Sequence, residues 1–300
     1  MNVARGTMEA GSRSRELPAG TGSLLWPHEG QDATMSFSGV IRRLGRADGS
    51  SHVRALAYQS AFVLMSGFIG LVGLASLLDL EQLRVVVQEM ALRVSPGSSG
   101  RLLQEAVQHG ASGGGTAATV GLGAALVSGT LAMSQLGRSA ERLHAISIDA
   151  PATQRYVRAV VLALTAGVVL ALGGLVIGAG RSIATGIGWR GSAATMWEVA
   201  RWPIGLVLAG IAIGVIFRVV SPGHPSTRDV ATGTLTTLVM WAAFTALLGV
   251  YLSVSTTSRS TYGPILSIIA LLLWSAATSL ALHLGLTVVA ERSGAELPPG

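Results

Sequence analysis

The chain contains little charge and lacks two residue types altogether. It has no cysteine and no lysine, so every basic residue is an arginine. The absence of cysteine excludes disulfides, thiolate nucleophiles and cysteine metal sites. Charged residues make up 12% of the 300 residues, whereas soluble domains contain about 25%. Half of the chain is apolar, which suits a helical bundle in lipid better than a soluble core of this size.

Six long segments contain no charged residue at all. Each is roughly as long as a bilayer-spanning helix requires, which is about 20 residues. They are 55–78, 106–137, 159–180, 202–217, 230–258 and 260–290. We therefore predict an all-α polytopic membrane protein with six spans, at about 55–78, 114–137, 158–180, 202–219, 231–255 and 263–290.

The two ends of the chain are predicted to lie outside this domain. Residues 1–51 are polar and rich in Gly, Ser and Arg, which predicts a disordered cytosolic arm. Residues 293–300 are expected to form a short cytosolic tail. We also expect that translation can start at Met35, and an intact mass that includes residues 1–34 would contradict this.

The arginines between the spans predict the orientation. Alternate connections are richer in Arg, and the positive-inside rule places the richer side in the cytosol. That side holds Arg42, Arg43, Arg46, Arg54, Arg138, Arg142, Arg155, Arg158, Arg218, Arg228 and Arg292. We expect both termini in the cytosol and the protein in the cell (inner or plasma) membrane. The net charge of +6 is explained in this way without a nucleic-acid partner.

Five of these arginines are candidates for contacts with lipid headgroups. Guanidinium groups bind phosphate in a bidentate manner, and anionic lipids attract basic clusters at the membrane surface. The candidates are Arg138, Arg142, Arg155, Arg158 and Arg218. Compositional bias of the coding genome explains the use of Arg over Lys equally well, so the choice alone does not demonstrate lipid binding.

The connection after the first span has its own apolar pattern. Apolar residues recur at helical spacing until Pro96-Gly97 interrupts them. They are Leu80, Leu83, Val86, Val87, Met90 and Val94. The pattern predicts amphipathic helices at the outer membrane surface, or helices that cap the bundle.

Small residues four apart predict close helix packing within the membrane. Such pairs let backbones approach in lipid, where no hydrophobic force brings helices together. The pairs are Ser66/Gly70, Gly121/Ala125, Gly174/Gly178, Gly205/Ala209 and Gly210/Gly214. Pro203 is expected in the first turn of the fourth span, where proline is tolerated.

The sequence offers no catalytic or metal-binding pattern. It has no HExxH, P-loop or GxSxG motif, and its six histidines do not have metal-ligand spacing. A hydrolase needs a nucleophile with a base, or a metal cage. We therefore expect no catalytic residues, no metal, no cofactor and no enzymatic activity.

The last span contains a stripe of polar residues. Ser275, Ser279, His283 and Thr287 recur every four residues and therefore share one helix face. A titratable residue within a span favours a functional hypothesis, here an intramembrane polar pathway with Gln59 as a candidate partner of His283. The alternative is structural, with hydroxyls bonded to their own backbone and His283 bonded to a neighbouring helix.

The chain resembles the YihY/BrkB family of bacterial inner-membrane proteins, with its most characteristic matches between residues 201 and 291. The matching residues keep the order and spacing of that family from about residue 51 to 292. They are Arg201-Trp202-Pro203, Phe217-Arg218, Pro222, Gly233, Trp241, Phe244, Tyr251, Thr261-Tyr262-Gly263, Leu272-Leu273-Trp274, Leu284-Gly285 and Ala290-Glu291, supported by Ala55-Leu56-Ala57-Tyr58 and, more weakly, by Ser134-Gln135-Leu136-Gly137-Arg138.

The chain departs from the family pattern at two positions. Ser66 stands where the family usually has a mid-span proline, and Thr287 stands where an intramembrane glutamate is common. The resemblance carries an old ribonuclease label, which we reject because no acid–base or metal cluster is present. It is compatible with a protein that transports or organises lipid or another envelope component.

The sequence is compatible with two functions. The first is a transporter or a lipid-handling protein, with membrane lipids as partners and an anionic lipid or an envelope precursor as the candidate substrate. The second is a non-transporting scaffold that recruits partners through its arm and loops. A polar cavity lined by His283, Ser279 and Gln59 would favour the first, and a solid core would favour the second.

Overall fold

The protein is helical throughout the residues that the structure describes. The computed structural model describes residues 37–46, 49–79, 114–146, 151–178, 184, 188–254 and 259–295, and these ranges contain no strand. The helices are α1 (Phe37–Arg46), α2 (Gly49–Leu77), α3 (Gly114–Leu143), α4 (Ala152–Gly178), α5 (Ser192–Val220), α6 (Thr227–Val254) and α7 (Arg259–Arg292).

Six of these helices, α2 to α7, are long and apolar enough to cross a membrane. At about 1.5 Å per residue, a helix of 27 residues measures roughly 40 Å, more than the hydrocarbon core of a bilayer. Large apolar side chains remain exposed along the helices, among them Phe62, Val120, Val207 and Leu247. In lipid these surfaces need no further cover, so the all-α, six-span architecture predicted from the sequence is confirmed.

The helices extend beyond the predicted spans because charged residues continue them. Arg138 and Arg142 lie in the last turns of α3, and Arg155 and Arg158 lie in the first turns of α4. α5 begins at Ser192, so Pro203 lies inside this helix and not in its first turn. Upstream, the Glu198 carboxylate forms a 2.6 Å ion pair with Arg201, and Arg201 also donates to the Ile177 carbonyl oxygen.

α1 and the first residues of α2 lie within the 1–51 segment that was predicted to be disordered. These residues are helical because α1 is amphipathic and buries Val40 and Arg43 against the rest of the protein. Arg43 donates to the carbonyl oxygens of Leu143, at 2.9 Å, and Ala295, at 2.6 Å. α1 therefore joins the C-terminal ends of α3 and α7. Residues 1–36, and the amphipathic pattern at residues 80–94, lie outside the described residues.

Consecutive spans pack antiparallel through glycines. On α2 and α3, a Cβ at Gly70 would lie 2.6 Å from the Leu122 nitrogen, and one at Gly121 would lie 2.6 Å from the Gly70 Cα. On α6 and α7, a Cβ at Gly233 would lie 2.7 Å from the Gly285 carbonyl oxygen. The first contact involves Gly70 and Gly121, which belong to two of the predicted small-residue pairs, although the sequence did not indicate that the two pairs meet. The second contact was not predicted, because Gly233 and Gly285 belong to none of those pairs.

The buried core is concentrated toward one end of the bundle. Its largest fully buried apolar side chains are Phe217, Leu56, Leu136, Leu143, Leu286 and Val289. α1, the end of α3, the start of α4 and the end of α7 meet near this core. We call this end, with Arg43, Arg138, Arg155, Arg158 and Arg292, the arginine end.

Candidate functional site

The polar stripe of α7 faces the interior of the bundle. Ser275, Ser279 and Thr287 have no exposed surface, and His283 is 1% exposed. The Thr287 hydroxyl donates to the His283 carbonyl oxygen at 2.7 Å, and the Ser279 hydroxyl donates to the Val53 carbonyl oxygen on α2 at 2.8 Å. The Ser275 Oγ is buried without a partner among the described residues.

His283 is held by its own helix and by α3. Its Nδ1 is 2.8 Å from the Ser279 carbonyl oxygen, which can only accept, so Nδ1 carries the proton. Its Nε2 is 3.1 Å from the Ser139 hydroxyl, which can donate to it or accept from it. The imidazole is therefore held in place by α3 and by its own helix.

Gln59 does not pair with His283. Val53 of α2 lies level with Ser279 of the antiparallel α7. With about 1.5 Å of rise per residue, Gln59 and His283 are displaced in opposite directions, by roughly 9 Å and 6 Å. The Gln59 Oε1 atom is buried without a partner among the described residues. The axial register of α2 against α7 could not be predicted from the sequence, because it depends on how the helices pack.

A second polar connection lies near the start of α2. His52, which is buried, has its Nδ1 2.6 Å from the Gln135 side-chain nitrogen on α3. The Arg138 guanidinium donates to the Gln135 Oε1 at 2.6 Å and to the Ser134 hydroxyl at 2.9 Å. This link between α2 and α3 was missed by sequence reasoning, although Gln135 and Arg138 were part of the family resemblance.

A groove lies at the arginine end between α3, α4 and the end of α5. Its polar lining includes Arg138, Glu141, Arg155 and Arg158, and its apolar lining includes Met133, Leu162 and Val220. Arg155 is 3.8 Å from the Glu141 carboxylate. We call this feature the arginine groove. It combines three guanidinium groups with one carboxylate and apolar walls.

The structure brings together three of the five predicted headgroup arginines. Arg138, Arg155 and Arg158 line the groove. Arg142 is exposed and does not line the groove. Arg218 donates to the Pro225 carbonyl oxygen in the connection between α5 and α6. Arg158 lines the groove together with Arg155, which precedes it by one turn of α4.

His144 is a buried titratable group next to the Arg43 anchor. Its Nδ1 donates to the Ala140 carbonyl oxygen at 2.8 Å, and its Nε2 is buried with no partner among the described residues. Burial lowers the pKa of the His144 imidazole, the bond to Ala140 raises it, and the Arg43 charge lowers it. The net direction is downward, so His144 is neutral in the folded protein at pH 7.

This burial predicts a loss of stability in mild acid. An unfolded chain protonates His144 near its ordinary pKa of about 6.5, while the folded protein resists protonation. The free energy of unfolding should therefore fall as pH decreases from about 6.5 toward the lowered pKa, and should change little above 7 from this residue. His144→Gln should reduce this dependence in thermal unfolding between pH 5 and 8. His224→Gln, at an exposed position, should leave it unchanged, and equal effects of the two variants would contradict the assignment.

Metal ligation is not supported by the described part of the chain. No group of three or more His, Asp or Glu side chains there is arranged to hold a metal ion. The side chains that converge at the arginine end are mainly cationic, which disfavours a metal cation and favours an anion.

The chain matches a known protein family over most of its length. The family model described as virulence factor BrkB matches residues 40–299. No curated protein and no solved structure matched the chain. The family match covers α1 to α7, which include the stripe and the arginine groove. The chain is a multi-pass membrane protein that belongs to the virulence factor BrkB family.

Proposed function

We propose that the protein binds and handles an anionic membrane lipid, or an envelope precursor with a phosphate-bearing headgroup, at the arginine groove. The observation that carries this proposal is the convergence of Arg138, Arg155 and Arg158 at one end of membrane-spanning helices. Each guanidinium offers several donors in a planar fork that matches phosphate oxygens. Glu141 offsets part of this charge, so the groove retains a net positive charge that attracts a phosphate.

α4 also presents an apolar face to lipid. Val157, Val161, Leu164 and Val168 are exposed and recur at helical spacing along this helix. They lie on a different face of α4 from Arg155, Ala159 and Leu162, which line the groove. The groove therefore lies on a helix whose other face is suited to the acyl chains of the bilayer.

We further propose that the arginine end faces the cytosol in the plasma membrane, with both termini on that side. The concentration of arginine at this end supports the orientation. Because the chain has no cysteine, Arg142→Cys provides a single labelling site. A membrane-impermeant maleimide should label it in inverted vesicles and not in intact cells, and the reverse pattern would contradict the orientation.

A scaffold without transport is the second candidate function. The stripe of α7 supports it, because Ser279, His283 and Thr287 are engaged in hydrogen bonds within a packed interior. Lipid recognition is therefore assigned to the groove and not to the stripe, and no catalytic step or ribonuclease activity is assigned to the protein.

Reversal of one charge in the groove tests lipid binding. Arg158→Glu should weaken the binding of phosphatidylglycerol about 10- to 100-fold, because a charge-assisted hydrogen bond contributes about 1.5–3 kcal/mol. Binding can be measured by native mass spectrometry or by lipid titration of the purified protein, with phosphatidylcholine as the neutral comparison.

The matched control is Arg142→Glu, which makes the same charge change at an exposed arginine outside the groove lining. It should reduce binding less than threefold. If both variants weaken binding equally, the effect belongs to the general surface charge and the groove proposal is wrong. If wild-type protein shows no preference for phosphatidylglycerol over phosphatidylcholine, the scaffold function is favoured.

A further inference from the structure

A chain of hydrogen bonds leads from the arginine groove to a buried histidine. It runs from the Arg138 guanidinium to the Gln135 Oε1, at 2.6 Å, and from the Gln135 Nε2 to the His52 Nδ1, at 2.6 Å. Arg138 lines the groove and His52 is 8% exposed. These hydrogen bonds therefore connect the arginine groove with the interior of the bundle.

The direction of each bond in this chain is fixed by chemistry. A guanidinium can only donate, so Gln135 must present its oxygen to Arg138. Its amide nitrogen then faces His52 and can only donate, so the His52 Nδ1 accepts and has no proton. As long as Arg138 holds the Gln135 oxygen, His52 is kept in its neutral form.

We propose that Arg138, Gln135 and His52 form a relay that couples headgroup binding in the arginine groove to protonation of His52. A phosphate that engages the Arg138 guanidinium releases the Gln135 oxygen. The side-chain amide can then rotate and present that oxygen to His52, whose Nδ1 takes up a proton and donates to it. This inference rests on the proposed function of the groove and adds a proton to the binding step.

The titratable and charged groups on the helices around His52 allow this histidine to take up one proton. From α7, His283 lies within electrostatic reach, and its ring is hydrogen-bonded to the Ser279 carbonyl oxygen and to the Ser139 hydroxyl. On α2 itself, Arg54 donates to the carbonyl and hydroxyl oxygens of Ser50. On α1, Arg42 is exposed, and Arg43 donates to the carbonyl oxygens of Leu143 and Ala295.

Because lipid binding and protonation of His52 are coupled, pH must change the affinity for lipid, and lipid must change the protonation of His52. A ligand that takes up a proton binds more tightly as pH falls, by at most about tenfold per pH unit for one proton. A phosphodiester lipid is the appropriate probe, because a phosphomonoester would titrate in the same range. The useful interval lies between about pH 5.5 and pH 8, around the ordinary pKa of histidine near 6.5.

Calorimetric titration of the full-length protein in detergent with short-chain phosphatidylglycerol tests the relay. Titrations in buffers of different ionisation enthalpy give the number of protons taken up on binding. Wild-type protein should take up a measurable fraction of one proton at pH 7, and its affinity should increase about three- to tenfold per unit decrease in pH. The neutral substitution Gln135→Leu should retain binding but lose both effects.

Two further variants separate the relay from other causes. His52→Gln should lose proton uptake, and His224→Gln, at an exposed histidine, should retain it. Proton uptake that persists in Gln135→Leu would overturn the relay, because it would show that the charge of the ligand acts directly. Binding without proton uptake in wild-type protein would overturn the relay and leave the proposed function intact. Absence of binding in wild-type protein would overturn both.

Discussion

Gly285→Ala is expected to disrupt the packing of α6 against α7. A Cβ at position 285 would meet Thr237 Oγ1 and lie 2.5 Å from the Gly233 carbonyl oxygen and 3.1 Å from the Phe217 ring. One of these neighbours is backbone, and Phe217 is fully buried, so neither can move without shifting a helix. Overpacking of this kind costs about 3 kcal/mol. The midpoint of thermal unfolding in detergent should therefore fall by about 6–12 °C.

The matched control is Gly174→Ala on α4. A Cβ at this position would meet nothing within 4 Å, although Gly174 also lies in a membrane-spanning helix. The substitution should change the unfolding midpoint by less than about 2 °C, since it removes only the backbone freedom of glycine. A larger loss in Gly174→Ala than in Gly285→Ala would contradict the packing of α6 on α7 described above.

Arg43→Ala is expected to release α1 from the bundle. Arg43 is 5% exposed and donates to two carbonyl oxygens at the C-terminal ends of α3 and α7, where the helix dipoles favour a cation. Its removal also takes away a positive charge that interacts with the carboxylate of Glu291. Hydrogen bonds to a charged group contribute about 1.5–3 kcal/mol each.

Hydrogen exchange measured by mass spectrometry can localise this effect. Amides of residues 37–46 should exchange at least tenfold faster in Arg43→Ala, whereas those in the middle of α6 should exchange at the wild-type rate. Arg42→Ala is the matched control, because it removes the same charge from the exposed face of the same helix. If Arg42→Ala has the larger effect, α1 is held by general surface charge and not by the Arg43 anchor.

The sequence predicted the spans well because charge and apolar length are local properties. A bilayer excludes charge from a helix wherever that helix contacts lipid, so the uncharged runs mark α2 to α7 directly. The ends of the helices could not be predicted in the same way. Glu198 and Arg201 interrupt the apolar run before Trp202, but they neutralise each other across one turn, and α5 continues through them from Ser192.

Which residues meet across two helices depends on the axial register of those helices, and the sequence does not indicate that register. The α7 stripe is buried, as its four-residue spacing indicated. Its partner, however, is Ser139 and not Gln59, because the antiparallel packing sets Val53 level with Ser279. Gly285 was visible only as part of a family resemblance, since its close partner Gly233 lies on another helix.

The arginine groove was predictable in part. Loop charge identified five arginines on one side of the membrane, and the short connection between α3 and α4 brings Arg138, Arg155 and Arg158 together. The same reasoning could not exclude Arg218, whose guanidinium turns back to the Pro225 carbonyl oxygen. It also missed the relay, because no pattern within one helix indicates that Gln135 meets His52 across two helices.

The most direct test of the account is to map where an anionic lipid lies on the protein. Photoactivatable phosphatidylglycerol can be crosslinked to the wild-type protein in nanodiscs, and the labelled peptides identified by mass spectrometry. The account predicts labels concentrated on residues 133–141 of α3 and 155–168 of α4, and their loss in Arg158→Glu. Labels spread evenly over the exposed faces of all six spans, unchanged by Arg158→Glu, would contradict it.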